Sequence, residues 1–367
     1  MLTLIFLFLA LCAVLAYNVY RWQQDKTLAD RLREKTSSTP RLSQTPKVSV
    51  LVAAWNEQDC IDAHICSFLA LTYPDIELIL CAGGTDGTFE CARQYAGPKV
   101  VVLEQQQGEG KQRALARCLE YASGEIIYLI DADCLYDENA LIRLLDVLVN
   151  ENEVAATGRY SPLQEQRENA FASNQWAVDT YARARSGKHV GGLIGRNAAL
   201  TRLSLEDTEA LKVDVPIGTD QYLSKLLLSR GKQIRYVHES MVATQYHTNI
   251  RPYLRQQSRW LRNIILHGRH FGAQEEVMSA ELKCAIGMTA VGLPLLFPLI
   301  GPIAIAVWLL GLIFASVNRV RYLKFSQRCG QVTPPRAFLS APLYALLDLY
   351  TLANAGWEMI LGRQYRW

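Results

Sequence analysis

Two aspartates, Asp131 and Asp133, stand two residues apart directly after the apolar run Ile126–Ile130. In extended backbone, positions i and i+2 face the same way, so two hard oxygen ligands could reach one Mg2+ or Mn2+. Such an ion is held by one or two carboxylates and shares its other positions with water and substrate phosphates. Taken alone, an Asp-x-Asp pair is more often a solvated turn or a helix cap. Place separates this one from that background, since it ends a strongly apolar strand and a helix is expected to begin just beyond, near Asp137.

The elements that must position the pair can be read along the middle of the chain. Short β-branched runs at Val48–Ala53, Ile76–Leu80, Val100–Leu103 and Ile126–Ile130 alternate with helical stretches such as Glu109–Ala122. Alternation of this kind predicts a mostly parallel sheet covered by helices, with ligands outside the carboxyl ends of the strands. Polar clusters follow those ends: Trp55-Asn56-Glu57 after the first, and Gly83-Gly84-Thr85-Asp86-Gly87 after the second.

Both ends of the chain read differently. Met1–Tyr20 carries no charged side chain and is long enough to span a bilayer. A cleaved signal peptide is the alternative, but it would call for a basic start and a small-residue cleavage site. Arg21, Lys26, Arg31, Arg33 and Lys35 follow, which by the positive-inside rule makes this flank cytoplasmic. Residues 21–46 are expected to be a basic and polar linker, 47–248 a catalytic domain, and 249–272 an amphipathic helix. Residues 282–320 read as a transmembrane hairpin turning at Gly301-Pro302, with Arg319, Arg321, Lys324 and Arg328 as its basic flank. A further apolar segment, 337–361, holds Asp348 and Glu358. It is either a span or a re-entrant or interfacial piece, since ionisable groups in a bilayer must face protein or water. The net charge of +3 is too small to point to nucleic acid, and the nine scattered cysteines form no C-x-x-C pair. Reduced thiols and no zinc site are expected.

The ordered segments VSVLVAAWNEQD, GGTDGT, GEGKQRAL, GEIIYLIDADC, VGGLIGRNAAL, GTDQYL and QQSRW resemble a family 2 glycosyltransferase domain of the GT-A fold, covering about Lys47 to Trp260. The flanking segments are arranged as in membrane-integrated members. The resemblance implies an α/β nucleotide-diphospho-sugar transferase domain between N- and C-terminal transmembrane helices. It implies that Glu57 helps hold the nucleotide's base and ribose, and that Lys111 pairs with phosphate. Asp131 and Asp133 would bind the metal, and Asp131 the donor as well. Asp220 would be the general base. Gln256 and Arg259 would face the departing diphosphate and Trp260 the acceptor. Each residue also has a plainer reading: a solvated loop acid for Glu57, a surface lysine for Lys111, a helix cap or first-turn acid for Asp220. For the last three it is an amphipathic helix with Arg and Trp at lipid headgroups. Where the family usually carries aspartates, before the glycine-rich turn, this chain has Cys81 and Ala82.

These residues imply hexosyl transfer with inversion, dependent on Mg2+ or Mn2+, from a nucleotide-sugar, with uridine expected, to a lipid or lipid-linked acceptor at the cytoplasmic face of the cell membrane. The C-terminal half, including Gly362–Trp367, is similar to ceramide-glucosyltransferase-like bacterial members. A processive polysaccharide synthase shares the glutamine-to-tryptophan motif and is the main alternative for the acceptor. A catalytically silent membrane scaffold draws on the replacements at Cys81 and Ala82. A dinucleotide oxidoreductase is excluded by the lack of G-x-G-x-x-G after the first strand.

Overall fold

The computed structural model describes residues 2–34, 39–215 and 217–362. They fall into two compact units, one made of Ser37–Leu163 with Ser186–Gln245, the other of Met1–Thr36, Gln164–Arg185 and Tyr246–Gln364.

The first unit is built on an eight-stranded sheet: β1 (Val48–Trp55), β2 (Ile76–Gly83), β3 (Val100–Glu104), β4 (Ile126–Leu129), β5 (Cys134–Leu135), β6 (Ala155–Pro162), β7 (Ala198–Thr201) and β8 (Arg235–Thr244). The order is β3-β2-β1-β4-β7-β6-β8-β5. β3, β2, β1 and β4 run parallel, as the alternating pattern predicts. Beyond β4 the expectation of a mostly parallel sheet fails. β7 is antiparallel to both β4 and β6, β6 and β8 are parallel, and β5 is antiparallel to β8, so the sheet is mixed. The segment between β6 and β7 contributes its helix, Ala170–Arg183, to the other unit.

Val48, Val50, Leu51 and Val52 of β1 are fully buried, as are Leu78–Ala82 of β2. Runs this apolar suit strands covered on both faces. The helices Gln58–Leu69, Gly110–Tyr121 and Glu138–Val149 pack on the sheet through Ile61, Ile65 and Phe68, through Ala114 and Leu115, and through Leu141, Leu144 and Leu145. The last helix begins where the sequence places it, with Asp137 accepting a hydrogen bond from the Ala140 N–H at 2.8 Å.

The second unit is helical. Its N-terminal helix runs unbroken from Leu2 to Glu34, so residues 21–34 are helix rather than linker. No proline or glycine interrupts Arg21–Glu34, and its residues are mostly good helix formers. Met1 and residues 35–38 of the expected anchor and linker lie outside the described residues, as does the terminal Arg363–Trp367. The expected catalytic domain 47–248 is also interrupted. The Ala170–Arg183 helix buries Ala177 among Leu323, Ala337 and Ala341, and Tyr181 against Ala29 and Phe325, all in the helical unit.

Among the described residues, two helices are long and apolar enough to cross a membrane, Gln274–Ile300 and Pro302–Arg328. Gly301, with φ of 65°, turns the chain between them, and Pro302 supplies the first residue of the second. The later apolar segment forms the helix Ala341–Ile360 and is not one of the two. It packs closely on Gln274–Gly292, where a Cβ on Gly287 would run into the backbone of Ala353.

Several charged residues of this unit face protein. Asp348 pairs with Arg319 and accepts a hydrogen bond from the Tyr253 hydroxyl at 2.7 Å, and Glu358 lies 3.1 Å from Arg262. Asp25 holds Arg321 at 2.6 Å and Arg185 at 2.8 Å. Arg319 and Arg321 are thus interior ion-pair partners and not the exposed basic flank expected after the hairpin, because each finds an acid on a neighbouring helix.

Candidate active site

β4 stops at Leu129, and Asp131 to Asp133 form a turn closed by the Cys134 N–H donating to the Asp131 carbonyl at 3.1 Å. Strand alternation is therefore not what aligns the two carboxylates. The turn does so, and it is fastened from behind. The Gln245 N–H donates to the Asp133 carbonyl at 3.0 Å, and the Thr244 hydroxyl donates to Asp133 Oδ1 at 3.2 Å.

His64 braces the same turn. It is fully buried, with Nδ1 2.7 Å from the Cys134 carbonyl and Nε2 2.9 Å from the Tyr136 hydroxyl. A carbonyl only accepts, so Nδ1 carries the proton and Nε2 accepts from tyrosine. Burial is the main reason that the pKa of His64 is lowered to about 4, and the ring is neutral at ordinary pH.

Lys111 is the second residue of the Gly110–Tyr121 helix, and its ammonium reaches Asp131 Oδ1 at 2.6 Å and Asp220 Oδ1 at 3.3 Å. Burial opposes the lysine charge, but Asp131 and then Asp220 outweigh it and raise the pKa above its ordinary value. Asp220 lies in the first turn of the Thr219–Ser229 helix, after Gly218. Its carboxylate rests against Gly195, where any Cβ would collide with it.

The next residue, Arg196, turns to the metal-type pair. Its Nε is 3.6 Å from Asp131 Oδ2 and an Nη is 3.4 Å from Asp133 Oδ2. The guanidinium lies over the Tyr160 ring, 5.2 Å from its centroid.

Glu57 follows Asn56, whose φ of 58° swings the chain out of β1. Burial first, and then the neighbouring charge of Asp133, raises the Glu57 carboxyl to about 7. Asp86, from the glycine-rich turn, is occupied locally. It accepts from the N–H and hydroxyl of Thr88 and from the N–H of Gln58, which ties that turn to the start of the first helix. Cys81 and Ala82 are fully buried at the end of β2, and all nine cysteines are free thiols.

Thus Glu57, Lys111, Asp131, Asp133 and Asp220, drawn from positions up to 163 residues apart, converge on one end of the sheet. Gln256, Arg259 and Trp260 are half-buried on the Ile250–His270 helix and belong to the helical unit. Arg196, Gly195 and His64 are not singled out in the sequence. The first had a visible signal, a lone arginine inside a glycine-rich apolar stretch just ahead of a buried strand. His64 had none, because a helical histidine is usually solvated or merely packed.

The convergence can be set beside known proteins. Residues 49–208 match the model of the glycosyl transferase family 2 domain. The chain carries a family 2 glycosyltransferase domain. The matched stretch runs from β1 to the helix after β7. It contains Glu57, Lys111, Asp131, Asp133 and Arg196, while Asp220 and Gln256–Trp260 lie beyond it.

Relatives of the family include an N-acetylglucosaminyltransferase of Azorhizobium caulinodans, 23% identical over 68% of this chain, the match spanning 66% of that protein, just under two thirds. A hyaluronan synthase of Streptococcus pyogenes is 25% identical over 83% of this chain and 78% of its own length. Among solved structures, a mannosyltransferase from Pyrobaculum calidifontis in complex with GDP-mannose and Mn2+ aligns with a TM-score of 0.57 and 18% identity. That alignment covers 98% of this chain and all of the other, and it places the fold in the GT-A class. The family 2 match and these named relatives support a glycosyltransferase.

Asp131 and Asp133 suit a divalent ion as a donor set of hard oxygens. Among the described residues, no group of three or more His, Cys, Asp or Glu side chains gathers as a metal cage. Two carboxylates fit an ion whose remaining positions are filled by water and substrate phosphate.

Proposed function

We propose that this chain transfers a hexose, with inversion, from a UDP-sugar to a hydroxyl of an acceptor held at the membrane. Its donor diphosphate would sit over Asp131 and Asp133 with Mg2+ or Mn2+. The observation that carries this is that Lys111 lies within ion-pair distance of Asp131 and Asp220, and Arg196 of Asp131 and Asp133, at the strand ends of the sheet. The ion would supply charge neutralisation to the leaving diphosphate. Asp131 and Asp133 hold it, and Lys111 adds a fixed positive charge beside the phosphates. Asp220 accepts the proton of the acceptor hydroxyl as that oxygen attacks the anomeric carbon. Attack on the face away from the diphosphate inverts the centre and needs no covalent enzyme intermediate. Glu57 contacts the nucleoside, Gln256 and Arg259 answer the charge of the departing diphosphate, and Trp260 offers a flat apolar face to the acceptor.

The N-terminal Met1–Tyr20 segment and the two long apolar helices anchor the enzyme in the cell membrane, with the sheet unit on the cytoplasmic side, where nucleotide-sugars are. A lipid or lipid-linked acceptor suits this arrangement. Processive extension of a polysaccharide is the second reading, and the long match to a hyaluronan synthase favours it. One assay separates them. Membranes containing the protein are incubated with a panel of radiolabelled nucleotide-sugars and extracted into organic solvent. Label in the organic phase supports a glycolipid, and label retained as high-mass aqueous polymer supports the synthase. Incorporation that persists unchanged in Asp220→Asn would overturn the assignment of the base.

A further inference from the structure

Every oxygen of the Asp131–Asp133 pair already has a partner. Asp131 Oδ1 is held by Lys111 and Oδ2 by Arg196, while Asp133 Oδ1 accepts from Thr244 and Oδ2 faces Arg196. Arg196 reaches both acids. It is fixed rather than loose, since its side chain is only 13% exposed and its guanidinium lies over Tyr160. A divalent ion entering this turn must displace a cation that the fold has put there.

The formal charges point the same way. Asp131, Asp133 and Asp220 carry three negative charges against two positive ones on Lys111 and Arg196, a net of one negative, to which Glu57 beside Asp133 adds at most one more. A lone divalent ion would cancel or overturn that negative charge. An ion arriving with a diphosphate would not, and the diphosphate would also give Arg196 and Lys111 new oxygens to hold, since a guanidinium fork matches phosphate as well as carboxylate.

We propose that Arg196 is a resident counter-cation that keeps the divalent ion out of the Asp131–Asp133 pair until a nucleoside diphosphate group is present, so that ion and donor bind as one unit. Resting on the metal assignment proposed above, the inference adds an order of binding and a residue that imposes it. Arg196 acts through the two aspartates and through phosphate and does not touch the acceptor hydroxyl's proton. Its consequence is that the enzyme carries no tightly bound ion between turnovers.

The test is Mn2+ binding to the full chain in detergent, followed by electron paramagnetic resonance, with and without uridine diphosphate, and with inorganic pyrophosphate as a base-free diphosphate. Wild type should bind Mn2+ weakly alone and at least about 10-fold more tightly with either diphosphate. Arg196→Gln should bind Mn2+ alone about 10-fold more tightly than wild type and lose most of the dependence on diphosphate. Arg196→Lys, which keeps the charge, should retain the dependence. A merely structural arginine would give the opposite pattern, with weaker Mn2+ binding in both variants. Should Arg196→Gln fail to fold, Arg196→Lys decides alone, because Mn2+ binding that has become independent of diphosphate in that variant overturns the inference. Wild type that binds no Mn2+ even with diphosphate would overturn the metal assignment, and this inference with it. Wild type that couples the two while Arg196→Gln still couples them equally would overturn only the role of Arg196.

Discussion

Ion pairs occur in both units, and they differ in how deeply they are set. In the helical unit Asp25 and Arg321 are 5% and 3% exposed, and the tyrosine and asparagine side chains around them take up the remaining donors and acceptors. At the strand ends of the sheet unit, Lys111 is 35% exposed and Asp131 29%. A buried pair that loses one member leaves an uncompensated charge, so its members cannot be exchanged. A pair open to water can trade its partner for an incoming ligand at little cost. The first kind holds helices together, and the second leaves its charges open to exchange. Distance alone would not separate them, since the Asp25–Arg321 and Lys111–Asp131 contacts are both 2.6 Å.

The largest effect should come from the exposed cluster and should be functional. Asp220→Asn is expected to lower sugar transfer by roughly 10^2 to 10^4-fold, the range of a lost general base. Donor binding, measured by titration with the nucleotide-sugar, should change little. Loss of both together would make Asp220 a structural residue and break the contrast.

Next comes the buried cluster. Arg321→Met should cost about 3 kcal/mol of stability, read as a lower unfolding midpoint in detergent, because Asp25 is left with the more exposed Arg185 as its cation. The double variant Asp25→Leu with Arg321→Met should recover most of the loss. A single variant as stable as wild type would show that these charges are as exchangeable as those at the strand ends.

A smaller effect involves pH. The folded carboxyl of Glu57 titrates near 7, above its ordinary value of 4.5, so the folded protein binds a proton that the unfolded chain has lost. Its contribution is therefore unfavourable, growing as pH rises from 4.5 to 7 and constant above. His64 titrates near 4, below its ordinary 6.5, so stability falls as pH drops from 6.5 towards 4. The two slopes oppose one another. Glu57→Gln removes one of them. The variant should be more stable than wild type above pH 7 by about 1–2 kcal/mol, after allowance for screening, and should lose stability more steeply on acidification. Parallel stability curves for the two proteins between pH 4.5 and 7.5 would show that Glu57 is not held out of its ordinary range.

The smallest expected change is in the stability of Lys111→Gln, within about 1 kcal/mol of wild type because the pair is half-exposed and partly screened. Its affinity for the donor should nevertheless fall by about 10-fold or more. A large drop in unfolding midpoint would move Lys111 into the class of Asp25 and Arg321.

Much of the sheet unit was legible in the sequence because its signals are local. Apolar strands of four to eight residues, each followed by a polar cluster, announce themselves. Asp131 and Asp133 stood out at a strand end, whereas Glu57, Lys111 and Asp220 were named only through the family resemblance. The antiparallel β7 was not legible, since Ala198–Thr201 reads no differently from a parallel strand. Nor were the partners of Asp348, Glu358 and Asp25. An acid in an apolar stretch signals that some cation must lie near, but Arg319, Arg262 and Arg321 are identified only once the helices are assembled. Arg21–Glu34 misled in a simpler way, since its charge suggested a linker while its residue types favoured helix.

Gly195 offers nothing but a missing methyl group, and the Asp220 carboxylate occupies that space. The place of the Asp220 carboxylate therefore depends on bare backbone at Gly195, which cannot be tuned in small steps as a side chain can. In a library that varied Ile194, Gly195 and Arg196 one at a time, the outer two positions would return graded phenotypes. The middle one would return a single viable residue, whatever sugar or acceptor the selection used.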